Sequence, residues 1–502
     1  MLIFQPFDNE WITFAIFLIL ILGFVSLSEI LRKRLKISGE NTRQFVHIGV
    51  GLLVILSPFI IASPVQPAFL AIIFIILNAY ALRAGQMKGI HTTSRFSLGT
   101  VFFPVSFLIL ILLYWKSNPA ILIVGMLIMT ISDPLASIIG NRARHARQFV
   151  FWKDAKTIVG SLTVFISAFL ITTITFQLLQ NIQAKNPIPL FNLILIGFAV
   201  AVVATLSESI SFAGSDNLTL PLLSALMLDT IQQLPLKGQL TVVGWIAFSF
   251  LLAYAAYRLK ALTAGGTAGA MLLGSIVFSI GGIYWVIPMA TFFILSSILS
   301  KIGKLKNNIL STMVVKGGQR DLFQVYANGG ISLLMAIAYH YTRNDLFYLM
   351  FLGSLAAATA DTWGTEIGIL SHKQPRHILT FAKVPVGTSG GVTVLGTSGF
   401  FMGAGVLTLS GILPITGLTL KLFAIVAICG ILGALIDSII GATIQAQYQC
   451  PACQKTTEKL IHCGKYQTTL ISGIRWINND MVNLICTASG AALVALLVIF
   501  FI

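Results

Sequence analysis

Asp133 stands in the apolar run "LIMTISDPLASIIGNR" (127–142), and Asp361 stands in "AAATADTWGTEIG" (356–368). A carboxylate in a membrane helix costs about 2.5–3.5 kcal/mol on insertion scales, so each needs a compensating role. The residues that follow offer one. Asp133 leads into a basic loop with Arg142, Arg144, His145, Arg147 and Lys153, and then into "KTIVGS" (156–161). Oxygen donors of this kind suit Mg²⁺, which takes few protein carboxylates and fills its other positions with phosphate and water. Lys156, with Gly160 and Ser161 opening the next helix, suits phosphate oxygens. The combination reads as a metal–nucleotide site. The plainer alternative makes Asp133 a helix-start residue before Pro134.

Further polar groups follow in the same order. Glu208, Asp216 and Asn217 lie in "ATLSESISFAGSDNLTLPL" (204–222), adding carboxylates for metal binding or for accepting a hydroxyl proton. Arg43 and His47, four apart in "TRQFVHIGVG" (42–51), share a helix face, with His47 either a base or a structural hydrogen-bonding group. "SLGTVFFP" (97–104) opens another helix with Gly99 and Thr100. Later in the chain come Lys316, Arg320, Asp321 and Asn328, then Asp361, Thr365 and Glu366, then Lys383 with Gly387, Thr388 and Ser389, then Asp437, and finally Asn479 and Asp480. Asp133, Glu208, Asp216, Asp361 and Asp437 are the catalytic candidates, and Asp133, Asp361 and Glu366 the Mg²⁺ candidates. The candidate nucleotide contacts are Lys156, Gly160, Ser161, Asn217, Lys316, Arg320, Lys383, Gly387, Thr388, Ser389, Asn479 and Asp480. No Gly-Lys-Ser/Thr ending marks a Walker A loop, so phosphate binding would take another form.

A separate cluster lies in "QYQCPACQKTTEKLIHCGK" (447–465), where Cys450 and Cys453 form C-x-x-C and His462 and Cys463 follow. This is a zinc pattern, although adjacent His462 and Cys463 would not readily both bind one ion. Disulfides are not expected in a loop that charge places in the cytoplasm.

The elements that position these residues are membrane helices. The chain has 502 residues, 56% hydrophobic and 10% charged, with mean hydropathy +0.91. Soluble domains carry about 25% charged residues. Apolar runs of about 20 residues recur, so the fold expected is an all-α polytopic membrane protein with about 15–16 spans. The first run carries no cleavage signal and reads as a span. Net charge is +16, which loops obeying the positive-inside rule explain without nucleic acid. Alternating basic and less basic loops place both termini outside the cytoplasm and the polar motifs at the cytoplasmic ends of their spans. The weakest span is 218–233.

Motif order divides the chain near residue 238, giving domains 1–238 and 239–502, the second with the Cys-bearing loop at 449–475. Asp133 to Gly160 is 27 residues and Asp361 to Gly387 is 26, while Ser161 to Glu208 is 47 and Ser389 to Asp437 is 48. Similar words at similar spacing argue for an internal duplication, a plan also found in transporters.

On these words the first half resembles the phytol kinase/dolichol kinase family of polyprenol kinases, over roughly 40–225. The second half, through "LTAGGTAGA", "KGGQRDLFQVYANGG", "KVPVGTSGGVT" and "NNDMVN", looks like an integral membrane family that includes phytyl-phosphate kinases, over roughly 250–490. The resemblance implies CTP-dependent phosphorylation of an isoprenoid alcohol to its monophosphate and then its diphosphate, as in phytol salvage for prenyl lipids. It places Asp133, Lys156 and Gly160 at a nucleotide site beside Glu208, Asp216 and Asn217. Gln44 stands where the family pattern calls for Lys. A bacterial inner membrane or its equivalent is the location expected. The rivals are a CTP-dependent cytidylyltransferase of lipid phosphate and a repeat-built transporter.

Overall fold

The computed structural model describes residues 4–84, 97–143, 146–183, 187–306, 319–412 and 420–501. Lys316, Arg144 and His145 lie outside them. Among the described residues there are sixteen helices. Fourteen are long and apolar enough to cross a membrane. The other two are Gly99–Tyr114 and Asp216–Gln232, of 16 and 17 residues, the latter at the span read as weakest.

The chain divides into two compact units, Met1–Gly244 and Trp245–Ile502. Unit 1 contains α1 (Glu10–Leu35), α2 (Gly39–Ile60), α3 (Val65–Arg83), α4 (Gly99–Tyr114), α5 (Pro119–Arg142), α6 (Ile158–Ile182), α7 (Leu190–Ser209) and α8 (Asp216–Gln232). Its centre is α5, which packs on α2, α4, α6 and α8. Every residue from Pro119 to Met126 is buried, as befits a helix that is apolar all round. By contrast α1 turns Ile12, Ile16 and Ile19 outward, the surface a lipid-facing helix presents.

The division falls within α9 (Leu236–Arg258). Unit 2 continues with α10 (Ala264–Gly281), α11 (Ile283–Lys306), α12 (Leu322–Thr342), α13 (Leu346–Gly368), α14 (Val394–Ile412), α15 (Leu420–Thr443) and α16 (Asn479–Phe501). Here α13 is central, packed on α11, α12, α14, α15 and α16. Glycines let α14 lie against it: a Cβ at Gly399 would come 2.7 Å from the Trp363 carbonyl oxygen, and one at Gly403 2.8 Å from that of Thr359. Close backbone approach of this kind is how small residues bind membrane helices together.

Strands are confined to short ladders between helices. β1 (Gln148–Val150) and β2 (Ala155–Thr157) form a hairpin before α6, and β3 (Arg376–His377) pairs with β4 (Gly391–Val392) across the Gly-rich turn. Between α15 and α16, β5 (Gln447–Gln449) pairs with β6 (Thr456–Thr457) and β9 (Thr469–Ser472), while β7 (Ile461–His462) pairs with β8 (Tyr466–Gln467).

Candidate active sites

Asp133 is not a helix start. The α5 rod runs on for nine residues beyond it to Arg142, about 14 Å at the α-helical rise. A π-helical turn, Ile128–Ser132, precedes it, with no side-chain cap. Such turns loosen the backbone ladder and recur at functional sites. His47 Nε2 lies 3.2 Å from the Met129 carbonyl oxygen within that turn, which gives His47 a structural partner. Gln44 hydrogen-bonds Ser137 at 3.2 Å, so the position that departs from the family pattern also braces α2 against α5.

The basic loop folds back onto the site. Its β-hairpin is pinned to the segment after α7: Trp152 stacks on Phe212 at 5.3 Å, Lys153 sits 4.7 Å over the same ring, and the Ala213 N–H donates to Asp154 at 3.2 Å. Lys156, in β2, thereby reaches Glu208 Oε1 at 2.6 Å and Asp216 Oδ2 at 3.7 Å. Burial disfavours its charge, but Glu208, Asp216 and Asp133 outweigh that and hold the ammonium above its usual pKa. Ser211 and the Asn217 amide donate to Asp216 at 3.1 and 3.0 Å. Asp133 interacts electrostatically with Asp216, Lys156, Arg43 and Glu208. Five ionisable groups from five elements thus converge, three of them carboxylates.

Other expected contacts are committed to packing. The Gly160 N–H donates to Thr157 Oγ1 at 3.0 Å, capping α6, and a Cβ on Gly160 would press on that oxygen and on the Ala136 carbonyl. Ser161 pairs with Ser209 at 3.2 Å. Glu208 Oε2 is buried without a hydrogen-bond partner, the kind of oxygen a hard divalent cation takes. The residues of this site fit Mg²⁺.

In unit 2 a cavity of ≈ 780 Å³ collects Lys260, Lys301, Arg320 and Lys459 with Asp361 and Glu366, and with Asn328, Asn479 and Asn483. Asp361 is 9% exposed. Ser300 donates to Glu366 at 2.6 Å. Asn483 Oδ1 is buried with no hydrogen-bond partner. At Leu252, Phe293, Arg320, Gln324 and Asn328 the cavity adjoins an apolar cleft of ≈ 70 Å³ walled by Phe278, Met289, Phe292 and Leu273.

Arg320, Asp361, Glu366 and Asn479 therefore share one cavity. Lys383, Gly387, Thr388, Ser389, Asp437 and Asp480 are not among its lining residues. Lys383 and Gly387 are exposed. Thr388 Oγ1 closes its own turn on the Pro385 carbonyl at 2.8 Å, and Ser389 donates to Glu458 at 2.7 Å. Asp437 is buried in α15, and Asp480 lies in the first turn of α16. Lys260, Lys301 and Lys459 did not stand out in the sequence, where they read as topology charges. Asn483 was within view as the last residue of "NNDMVN".

Integral membrane protein DUF92 matches residues 247–491. The protein PGR of Arabidopsis thaliana is 33% identical over 49% of this chain and 92% of its own length. An uncharacterized membrane protein of Methanocaldococcus jannaschii is 32% identical over 45% of this chain and 81% of its own. A phytol kinase of Synechocystis sp. is 29% identical over 41% of this chain and 86% of its own. No solved structure matches the chain.

Proposed function

The chain belongs to the integral membrane protein DUF92 family, and from that premise we propose a membrane-embedded kinase of isoprenoid substrates with two sites. Unit 1 phosphorylates an isoprenoid alcohol, and unit 2 adds a second phosphoryl group to the monophosphate, with CTP as donor at both. The likeness to a phytol kinase supports the substrate class. The observation that carries the reading is the unit 2 cavity: four cationic side chains and two carboxylates beside an apolar cleft. That pairing suits an amphiphile's phosphate head and the first carbons of its hydrocarbon tail.

Phosphoryl transfer asks a protein mainly to position groups and offset charge. Asp133, Glu208 and Asp216 would hold Mg²⁺ in unit 1, and Asp361 with Glu366 in unit 2. The chemistry a divalent ion held by these carboxylates would supply is neutralisation of the donor's phosphate charge. Lys156 and Arg43 neutralise the transferred group in unit 1, and Arg320, Lys301 and Lys459 do so in unit 2. The Asp133 side chain makes no hydrogen bond among the described residues, and its carboxylate oxygen not given to the ion would take the proton of the attacking alcohol.

Asp133 lies well inside its span, and this favours a second reading, a transporter whose carboxylates relay a cation. Incubating the purified protein with CTP labelled at its γ-phosphate and phytol separates the two: label in prenyl phosphates supports the kinase, and label in none removes it. Release of pyrophosphate in place of CDP would identify a cytidylyltransferase.

A further inference from the structure

We propose that the segment between α15 and α16 binds one structural zinc ion through Cys450, Cys453, His462 and Cys463. All four ligand atoms lie within 4.8 Å of one another. His462 Nδ1 is 3.4 Å from the Cys453 sulfur and 3.3 Å from that of Cys463. Zinc bonds of about 2.3 Å to sulfur and 2.0 Å to nitrogen put tetrahedral S···N edges at about 3.6 Å. Two edges of the cluster are thus already near the spacing a Cys₃His set requires, and Cys450, Cys453 and Cys463 are all free thiols.

The backbone explains how neighbours share the site. A tight knuckle joins β5 to β6, closed by the Gln454 N–H on the Cys450 carbonyl at 2.9 Å, with Gln454 left-handed at φ 58°. It turns Cys450 and Cys453 to one side. In the β7–β8 hairpin Cys463 and Gly464 are both left-handed, at φ 49° and 83°. That break in strand alternation brings Cys463 to the side of His462, which a regular strand would not do.

The segment also needs a fastener. β8 and β9 are exposed throughout, and the ladders are two to four residues long. Chain pieces this small do not bury enough apolar surface to fold alone, and metal binding supplies the missing free energy. Three thiolates and an imidazole in tetrahedral array select zinc over hard cations.

What the zinc holds in place is Lys459. It lies between the two knuckles and lines the unit 2 cavity, while the neighbouring Glu458 accepts from Ser389 of the Gly-rich turn at 2.7 Å. Lys459 is accordingly a positioning consequence of the metal, and that step rests on the kinase reading; the zinc site does not.

The test uses the full-length protein in detergent, expressed in zinc-supplemented medium and washed free of loose metal. Elemental analysis is expected to find one zinc per chain, and Cys450→Ser with Cys453→Ser to remove it. On wild-type protein a mercurial thiol reagent should release one equivalent to a metallochromic dye, which needs no variant to fold. Cobalt exchanged into the site should give thiolate charge-transfer and tetrahedral d–d absorption. Wild-type protein holding under a tenth of an equivalent, or the double variant keeping its full equivalent, overturns the site. Wild-type zinc content with no effect of its loss on use of prenyl monophosphate leaves the site standing and removes the role given to Lys459.

Discussion

Lys156 lies 2.6 Å from Glu208 and 3.7 Å from Asp216, and stranding a buried charge by removing its partner costs about 3–5 kcal/mol. Lys156→Met should therefore lower the melting temperature in detergent. It should also cut conversion of alcohol to monophosphate by about 10²–10³-fold, the range seen when a charge-stabilising donor is removed. Use of added monophosphate should stay at the wild-type rate, and a matching loss there would separate Lys156 from the first site. Asn483 makes the opposite trade. Its Oδ1 is buried and unpaired, an arrangement that costs stability until a ligand satisfies it. Asn483→Leu should raise the melting temperature of the substrate-free protein while weakening monophosphate use, read as a rise in KM. A lower melting temperature with KM unchanged would make the residue merely structural. The carboxylates of both sites were legible as residues, since acidic groups in apolar runs are conspicuous. Lys260, Lys301 and Lys459 were not, because a basic residue after a span says topology first.

At the scale of elements, hydropathy marks the helices well because a bilayer demands about 20 apolar residues from each. It does not mark where a helix continues. Asp-Pro at 133–134 reads as a start signal, yet α5 carries it through after a π-helical turn, whose Met129 carbonyl lies 3.2 Å from His47 Nε2. Nor does it show that a charged loop is a hairpin: aromatic stacking of Trp152 on Phe212, which spacing alone does not disclose, aims Lys156. Thr157 caps α6, and Thr157→Ala should cost about 1 kcal/mol, the usual loss of a cap, measured as a lower unfolding midpoint. The α13–α14 crossing is more exacting. Gly403→Leu puts a side chain where a Cβ already meets the Thr359 carbonyl at 2.8 Å. It should abolish accumulation of folded protein by size-exclusion chromatography, whereas Gly405→Leu, at a glycine with open space around it, should be tolerated.

At the scale of the molecule each unit sets its polar words at the same ordinal helices. Counting only the described helices, α1–α8 and α9–α16, as two sets of eight, Asp133 and Asp361 lie in the fifth, Lys156 and the Gly-rich turn precede the sixth, Glu208 and Asp437 lie in the seventh, and Asp216 and Asn479 open the eighth. We take this as the mark of a duplication whose copies diverged toward successive substrates, the second acquiring the Cys-bearing segment. Spacing in the sequence suggested the repeat but gave no sign of the cavity, which exists only once α9, α11, α12, α13 and α16 come together. The proposed function requires two kinase sites acting in sequence. Its most direct test follows γ-labelled CTP into phytol with Mg²⁺, using wild type, Asp133→Asn and Asp361→Asn purified in detergent. Wild type should yield diphosphate, Asp361→Asn should accumulate monophosphate, and Asp133→Asn should give product only when monophosphate is supplied. If both variants fail at the same step, or label enters no prenyl phosphate at all, the two-site account is wrong.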